Sequence, residues 1–298
     1  MILTVGIIVA AVLGLIFGSF LNVCITRLPL GESIAWPGSH CRSCNHALPW
    51  YMNLPGVSWP ALKGRCAYCK ERIPARYFLV EVATAALWVG CWLHWCCLYS
   101  GGFDADAHLQ ELSSFPFYEY IPFALLSPVT SALSLWLLLG LAVMDWEGLF
   151  LSDWFTISGA LAGILWAAIS IHIPVLYEIH QQPQVVHQLI IAAAFAGFFL
   201  LVRWLYWLLR KQEGLGMGDV KLAAMIGAWL SWEQSLLTLL MAVLSALIYA
   251  TFLMIRNPEA KKGQIALPFG SFLAGAAIVS YFAGTTIWNR YMQLWHLA

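Results

Sequence analysis

Glu213-Gly214-Leu215-Gly216-Met217-Gly218-Asp219-Val220-Lys221 sets a glycine-rich turn, an acid and the start of an apolar run side by side. A carboxylate at the margin of a membrane segment is costly unless it is solvated, paired or used, so Asp219 marks a candidate site. The second acid to look for is Asp145, which ends the apolar run from Ser131 to Met144 and precedes the more polar Trp146-Glu147-Gly148. Two aspartates at the ends of two membrane helices are placed to share one water molecule.

Composition supports reading these runs as membrane helices. The chain has 298 residues, 61% hydrophobic and 10% charged, with a mean hydropathy of +0.76; a soluble domain carries roughly 25% charged residues. A helix needs about 20 residues to cross about 30 Å of hydrocarbon. Eight runs are candidates: 2–26, 78–99, 122–144, 154–176, 187–209, 218–232, 234–255 and 267–289, the sixth being the shortest. The fold expected is an all-α polytopic membrane protein of about eight transmembrane helices, with a small zinc-stapled cytoplasmic domain inserted between helices 1 and 2.

The formal net charge is zero and says nothing about partners, but its distribution is informative. Lysine and arginine fall at Arg27 to Arg76, Arg203 to Lys221, Arg256 to Lys262 and Arg290, while the stretches around 100–121 and 177–186 have none. The positive-inside bias then makes the basic loops cytoplasmic and the N-terminus external, and both aspartates lie near the cytoplasmic face. The first run has no positive residue before it and no evident cleavage site, so it is expected to be a retained helix.

From about 30 to 77 the chain turns polar and holds Cys41-Arg42-Ser43-Cys44, 21 further residues, then Cys66-Ala67-Tyr68-Cys69. Two cysteines two apart make a chelating knuckle, and two knuckles supply the four thiolates that tetrahedral zinc accepts, so Cys41, Cys44, Cys66 and Cys69 are the expected ligands. A segment this small has too little core to hold itself, and a metal staple supplies folding free energy. Replacement of a thiolate by His40 or His46, or two disulfides in place of a metal, are the alternatives; a reducing cytoplasm disfavours the second. Cys24, Cys91, Cys96 and Cys97 lie in or beside apolar runs and read as small buried hydrophobes. The domains expected are 1–28, a first transmembrane helix; 29–77, the four-cysteine zinc domain; and 78–298, a transmembrane core carrying the acids.

Smaller features carry expectations of their own. Gly18 and Ser19 allow close helix contact, and Asn22 needs a hydrogen-bond partner within the bilayer. Arg76 and Glu81 read equally as an ion pair or as ligand contacts. Ser152 or Asp153 is expected to cap the helix that follows. Glu147 competes with Asp145 for a catalytic role, and Lys221 either stabilises negative charge locally or anchors at lipid head groups. The glycines before Asp219 permit positive φ and close approach of a substrate backbone. The intramembrane histidines sit in no serine-containing motif, so a Ser/His/Asp arrangement finds no support.

These residues resemble a known family. Gly216-Met217-Gly218-Asp219, with Asp145 ahead of a Leu151-Ser152-Asp153 turn, resembles the type IV prepilin peptidases, membrane aspartyl proteases with a Gly-x-Gly-Asp signature. Gly18-Ser19-Phe20-Leu21-Asn22-Val23 before Arg27-Leu28-Pro29, Leu48 to Pro55, Ile73 to Glu81 and Leu267-Pro268-Phe269-Gly270 are similar to further motifs of that family. Three positions depart from the pattern: Met52 replaces the usual acid, Ser152 the usual proline, and Ser271 stands where a second proline would be. The resemblance implies that Asp145 and Asp219 are catalytic, one ionised to take a proton from water and the other protonated to polarise the scissile carbonyl, the pair titrating as a unit. It implies peptidase action on type IV prepilins or type II secretion pseudopilins at the cytoplasmic face of a bacterial inner membrane, in a multi-pass chain with the lipid bilayer, and not nucleic acid, as its surroundings. It also implies N-methylation of the new N-terminus with S-adenosylmethionine, although the chain holds no glycine-rich strand-to-helix nucleotide motif. A peptidase without methyltransferase activity, a transporter, and a non-enzymatic assembly component are the rival readings.

Overall fold

The computed structural model describes residues 2–100, 126–170, 185–212, 214–256 and 267–294. Their apolar runs fold as helices: α1 (Ile2–Arg27), α2 (Ser58–Ala61), α3 (Arg76–Ser100), α4 (Leu126–Gly148), α5 (Asp153–Ser170), α6 (Val185–Arg210), α7 (Met217–Trp229), α8 (Trp232–Arg256) and α9 (Phe269–Leu294). Among the described residues there are no strands, only the isolated bridges His40 to Ala47 and Arg65 to Arg72. The acids at 104, 106 and 111, the histidines at 172 and 180, and the basic stretch after Arg256 lie outside the described residues.

Seven of these helices, all but α2 and α7, are long and apolar enough to cross a membrane. The sixth of the expected runs, α7, falls outside that set by its length. Helix α7 has 13 residues and rises only about 20 Å, short of the roughly 30 Å of hydrocarbon. Its sequence is apolar all round because it is a core helix: Val220, Leu222, Ala223, Met225, Ile226 and Ala228 are all buried.

The chain divides into two compact units, Met1–Trp136 and Leu137–Ala298, with the boundary inside α4. In the first, α1 packs on α3 at backbone range, since a Cβ on Gly14 would stand 2.5 Å from Ala85 Cα and one on Gly18 2.7 Å from Glu81 Cα. Leu21, Cys24, Cys91 and Cys96 are buried there, these three cysteines acting as the small hydrophobes expected, whereas Cys97 is exposed. Asn22 Nδ2 donates to the Tyr77 carbonyl at 2.8 Å, the partner its position required. The polar segment folds onto these helices through the Gly56 N–H, which donates to Glu81 Oε2 at 2.8 Å, through Trp59, which stacks on Phe78, and through Arg27, which donates to the Ser33 and Gly38 carbonyls; within the segment the Trp59 indole N–H donates to the Ile73 carbonyl at 3.0 Å.

In the second unit α7 is enclosed by α5, α6 and α9. A Cβ on Gly227 would lie 2.8 Å from Ala192 Cα, so α6 and α7 touch backbone to backbone. The Trp229 indole N–H donates to the Gly159 carbonyl of α5 at 2.8 Å. Helices α8 and α9 pack over buried Thr238, Ala242, Leu273 and Ala277.

Candidate functional site

Helix α4 carries Asp145 in its last turn, and α7 carries Asp219 in its first. Both carboxylates are buried, at 5% and 9% exposure, beneath a turn whose Gly214, Gly216 and Met217 are exposed. Leu151, in the loop after α4, links them: a Cβ on Gly218 would stand 2.8 Å from Leu151 Cβ, and one on Gly270 would stand 2.9 Å from Leu151 Cδ1 and 3.1 Å from Asp145 Oδ2. Glycine is therefore needed at 218 and 270 for space. The freedom these glycines offer is not used at Gly216, which has φ −69°; among the described residues the glycines at positive φ are Gly31, Gly56 and Gly64.

The two acids differ in their partners. Asp145 Oδ2 accepts the Ser271 backbone N–H at 2.6 Å and lies 3.0 Å from Ser271 Oγ. Asp219 Oδ2 accepts one backbone N–H, that of Gly216, at 3.2 Å. The turn before Asp219 is held in turn by Arg203 of α6, whose guanidinium donates to the Leu215 carbonyl. Such an arrangement suits two carboxylates that share a proton and a water between them, since both cannot readily ionise at short range.

Several sequence-based expectations change at this point. Asp153 does not cap α5 with its side chain; its Oδ1 pairs with Lys221 Nζ at 2.6 Å, so Lys221 is tied to α5 and is not free to reach head groups. The first carbonyl of that helix to accept is that of Ser152, from the Phe155 and Thr156 N–H groups. Glu147, the rival acid, is exposed. Ser271 and Leu151 were not legible as partners of the acids, because only packing of α9 and of the α4–α5 loop brings them there.

The four thiols form the second centre. The Sγ atoms of Cys41, Cys44, Cys66 and Cys69 all lie within 4.8 Å of one another, and Cys41 Sγ is 3.8 Å from Cys69 Sγ. Four sulfurs bonded tetrahedrally at about 2.3 Å stand about 3.8 Å apart, so the set fits zinc. The two knuckles repeat one geometry. Cys41 accepts the Asn45 N–H at 2.8 Å and donates to the His46 carbonyl at 3.0 Å; Cys66 accepts the Lys70 N–H at 3.1 Å and donates to the Glu71 carbonyl at 2.9 Å. Asn45 and Lys70 take the same left-handed backbone, φ 56° and 60°. All eight cysteines are free thiols. His40 Nδ1 lies 2.9 Å from the Gly38 carbonyl oxygen and His46 stacks on Tyr68, so neither joins the cluster.

Backbone N–H groups, first that of Cys44 and then that of Ser43, hold the Cys41 thiol down at about 6 against some desolvation. Cys69 receives the lowering Glu71 N–H, yet desolvation and the sulfurs of Cys44, Cys66 and Cys41 push it up to about 12. Four thiols this crowded give up all their protons only to a cation that takes up the charge.

Fold and sites together define a class: a multi-pass helical membrane protein with a buried pair of aspartates and a four-thiol centre. The sequence profile described as Bacterial Peptidase A24 N-terminal domain matches residues 12–95, and that of the Type IV leader peptidase family matches residues 132–251. A prepilin leader peptidase/N-methyltransferase of Pseudomonas putida is 33% identical, over 96% of this chain and 93% of its own. Enzymes of the same name from Burkholderia pseudomallei and Myxococcus xanthus are 31% and 34% identical, over 93% and 84% of this chain and 85% and 63% of theirs. No solved structure gives a significant match. The chain belongs to the type IV leader peptidase family.

Proposed function

We propose that this protein is a membrane aspartyl peptidase that removes the leader of type IV prepilins or pseudopilins and then N-methylates the exposed terminus. The observation that carries the peptidase reading is the convergence of Asp145 and Asp219, from two helices, around Leu151 and under an exposed glycine turn. In this reading both are catalytic, and water attacks the scissile carbonyl carbon between them. One carboxylate takes the water proton while the other gives its proton to the carbonyl oxygen. Collapse of the diol breaks the C–N bond, the leaving nitrogen takes the transferred proton, and the second carboxyl is restored.

Cys41, Cys44, Cys66 and Cys69 hold one structural zinc ion, supported by the chemistry of the four sulfurs and their spacing. The methyl transfer is supported by the names of the relatives, with S-adenosylmethionine as donor. Of the polar groups around the four-cysteine segment, Glu81 accepts the Gly56 N–H and Arg27 donates to the Ser33 and Gly38 carbonyls, so these two are engaged within the fold and are not assigned to the donor. The basic loops support a cytoplasmic four-cysteine domain, spanning 29–77, in a bacterial inner membrane, with both acids on that side.

The test is incubation of the purified full-length protein with a prepilin and S-adenosylmethionine, followed by mass measurement of the pilin N-terminus. Cleavage with an added methyl is expected. Cleavage that survives in both Asp145→Asn and Asp219→Asn overturns the assignment of these acids, and cleavage without methylation leaves a peptidase alone.

A further inference from the structure

Beside the two aspartates the carboxylate site holds the side chain of Ser271, and nothing in the proposed reaction uses it. It stands in the first turn of α9, and its backbone N–H reaches Asp145 Oδ2 at 2.6 Å. Its hydroxyl faces two acceptors, the Ala142 carbonyl oxygen at 2.7 Å and Asp145 Oδ2 at 3.0 Å. A serine hydroxyl has one proton and donates to one of them at a time. An ionised carboxylate is the stronger acceptor, and a neutral carboxyl leaves the hydroxyl to Ala142. The hydroxyl is therefore set to swing towards Asp145 when that side chain is charged. Oδ1 of Asp145 makes no protein hydrogen bond among the described residues, whereas Asp219 has only the long contact to Gly216.

Resting on the peptidase reading, we infer that Ser271 is a positioning residue that assigns the two acids their roles. Its paired donors clamp Oδ2 and hold Asp145 as the carboxylate, so Oδ1 takes the proton from attacking water. Asp219, with weaker support for a charge, carries the shared proton and donates it to the carbonyl oxygen. The O–C bond to water forms as these two protons move; the C–N bond then breaks as the leaving nitrogen takes the proton from Oδ1 and a hydroxyl of the diol returns its proton to Asp219. Among the described residues, the titratable group facing Asp145 from a neighbouring helix is Asp219; Lys221 is engaged by Asp153, and Glu147 is exposed on Asp145's own helix.

The experiment is the pH profile of kcat/KM for prepilin cleavage by the full-length protein in its parent, Ser271→Ala and Ser271→Thr forms. Removing the hydroxyl withdraws support from the charged base, so Asp145 stays protonated to higher pH. The acid limb should move up by about one pH unit in Ser271→Ala, with a roughly tenfold loss of kcat below it and little change in KM, and Ser271→Thr should return it. If Ser271→Ala is not recovered folded, Ser271→Cys, which keeps the volume but donates weakly, carries the same expectation. A Ser271→Ala profile that superposes on the parent, or one that moves only on its alkaline limb, overturns the assignment while the peptidase reading stands. A parent that cannot cleave, or an Asp145→Asn variant that still does, removes both.

Discussion

Cys41 with Cys44, and Cys66 with Cys69, reach their common centre by two turns of one local design, each closed by backbone bonds within six residues. Asp145 and Asp219 reach theirs only because α5, α6 and α9 enclose α7 and the α4–α5 loop lays Leu151 between the glycines beside them. The thiol centre depends on cysteine spacing and local hydrogen bonds. The carboxylate site depends on helix packing. On the proposed reading, chemistry that must be placed to a fraction of an ångström is carried by the part of the chain with the larger core, and the part with little core would be held by a metal.

The sharpest break of this contrast is chemical. Asp145→Asn and Asp219→Asn should each lower prepilin cleavage by about a thousandfold or more, because the pair acts as a unit. Zinc content of the purified variants should stay at the parent level, and a loss of metal would mean the two centres are not independent. Cys41→Ser or Cys66→Ser should do the reverse to the metal. Bound zinc, read by atomic absorption, should be lost, and residues 29–77 should become the first target of limited proteolysis, since apparent binding of structural zinc is about 10–16 kcal/mol. Metal retention should also weaken as pH falls, because each thiolate must shed its proton to bind.

Packing at the acids gives the next effect. Gly218→Ala puts a methyl group 2.8 Å from Leu151 Cβ, and it should cost about 1–3 kcal/mol by thermal unfolding and reduce cleavage. Combining it with Leu151→Ala should cost less than the sum of the two changes, and simple additivity would show that the contact is not shared. The smallest effect belongs to Lys221→Met. Its pairing with Asp153 is half exposed, so stability should change by less than about 1 kcal/mol and cleavage only modestly. A large loss there would move Lys221 from a tether between helices to a participant in the reaction.

Much of this was legible in the chain and some was not, for definable reasons. The thiol spacing is a short-range property, and the structure closes the cluster with the four cysteines that spacing selected. The acids were visible because a carboxylate is rare at the edge of an apolar run. The enclosure of α7 was not legible, because apolar composition looks the same for a lipid-facing helix and for one surrounded by neighbours. Asp153 read as a cap because caps are local, whereas its ion pair with Lys221 spans two helices.

By itself, the amino-acid sequence determined what short spans of residues decide: where apolar helices lie, which thiols are spaced to chelate, and which two acids stand at helix ends. Periodicity and chelate spacing act over a few residues and need no partner. Only the tertiary structure decided that Ser271 holds one oxygen of Asp145, that Leu151 lies beneath the glycines beside both acids, and that α7 is a core helix. Those contacts join residues far apart in the chain, and they exist only once side-chain volumes have settled which helices lie side by side.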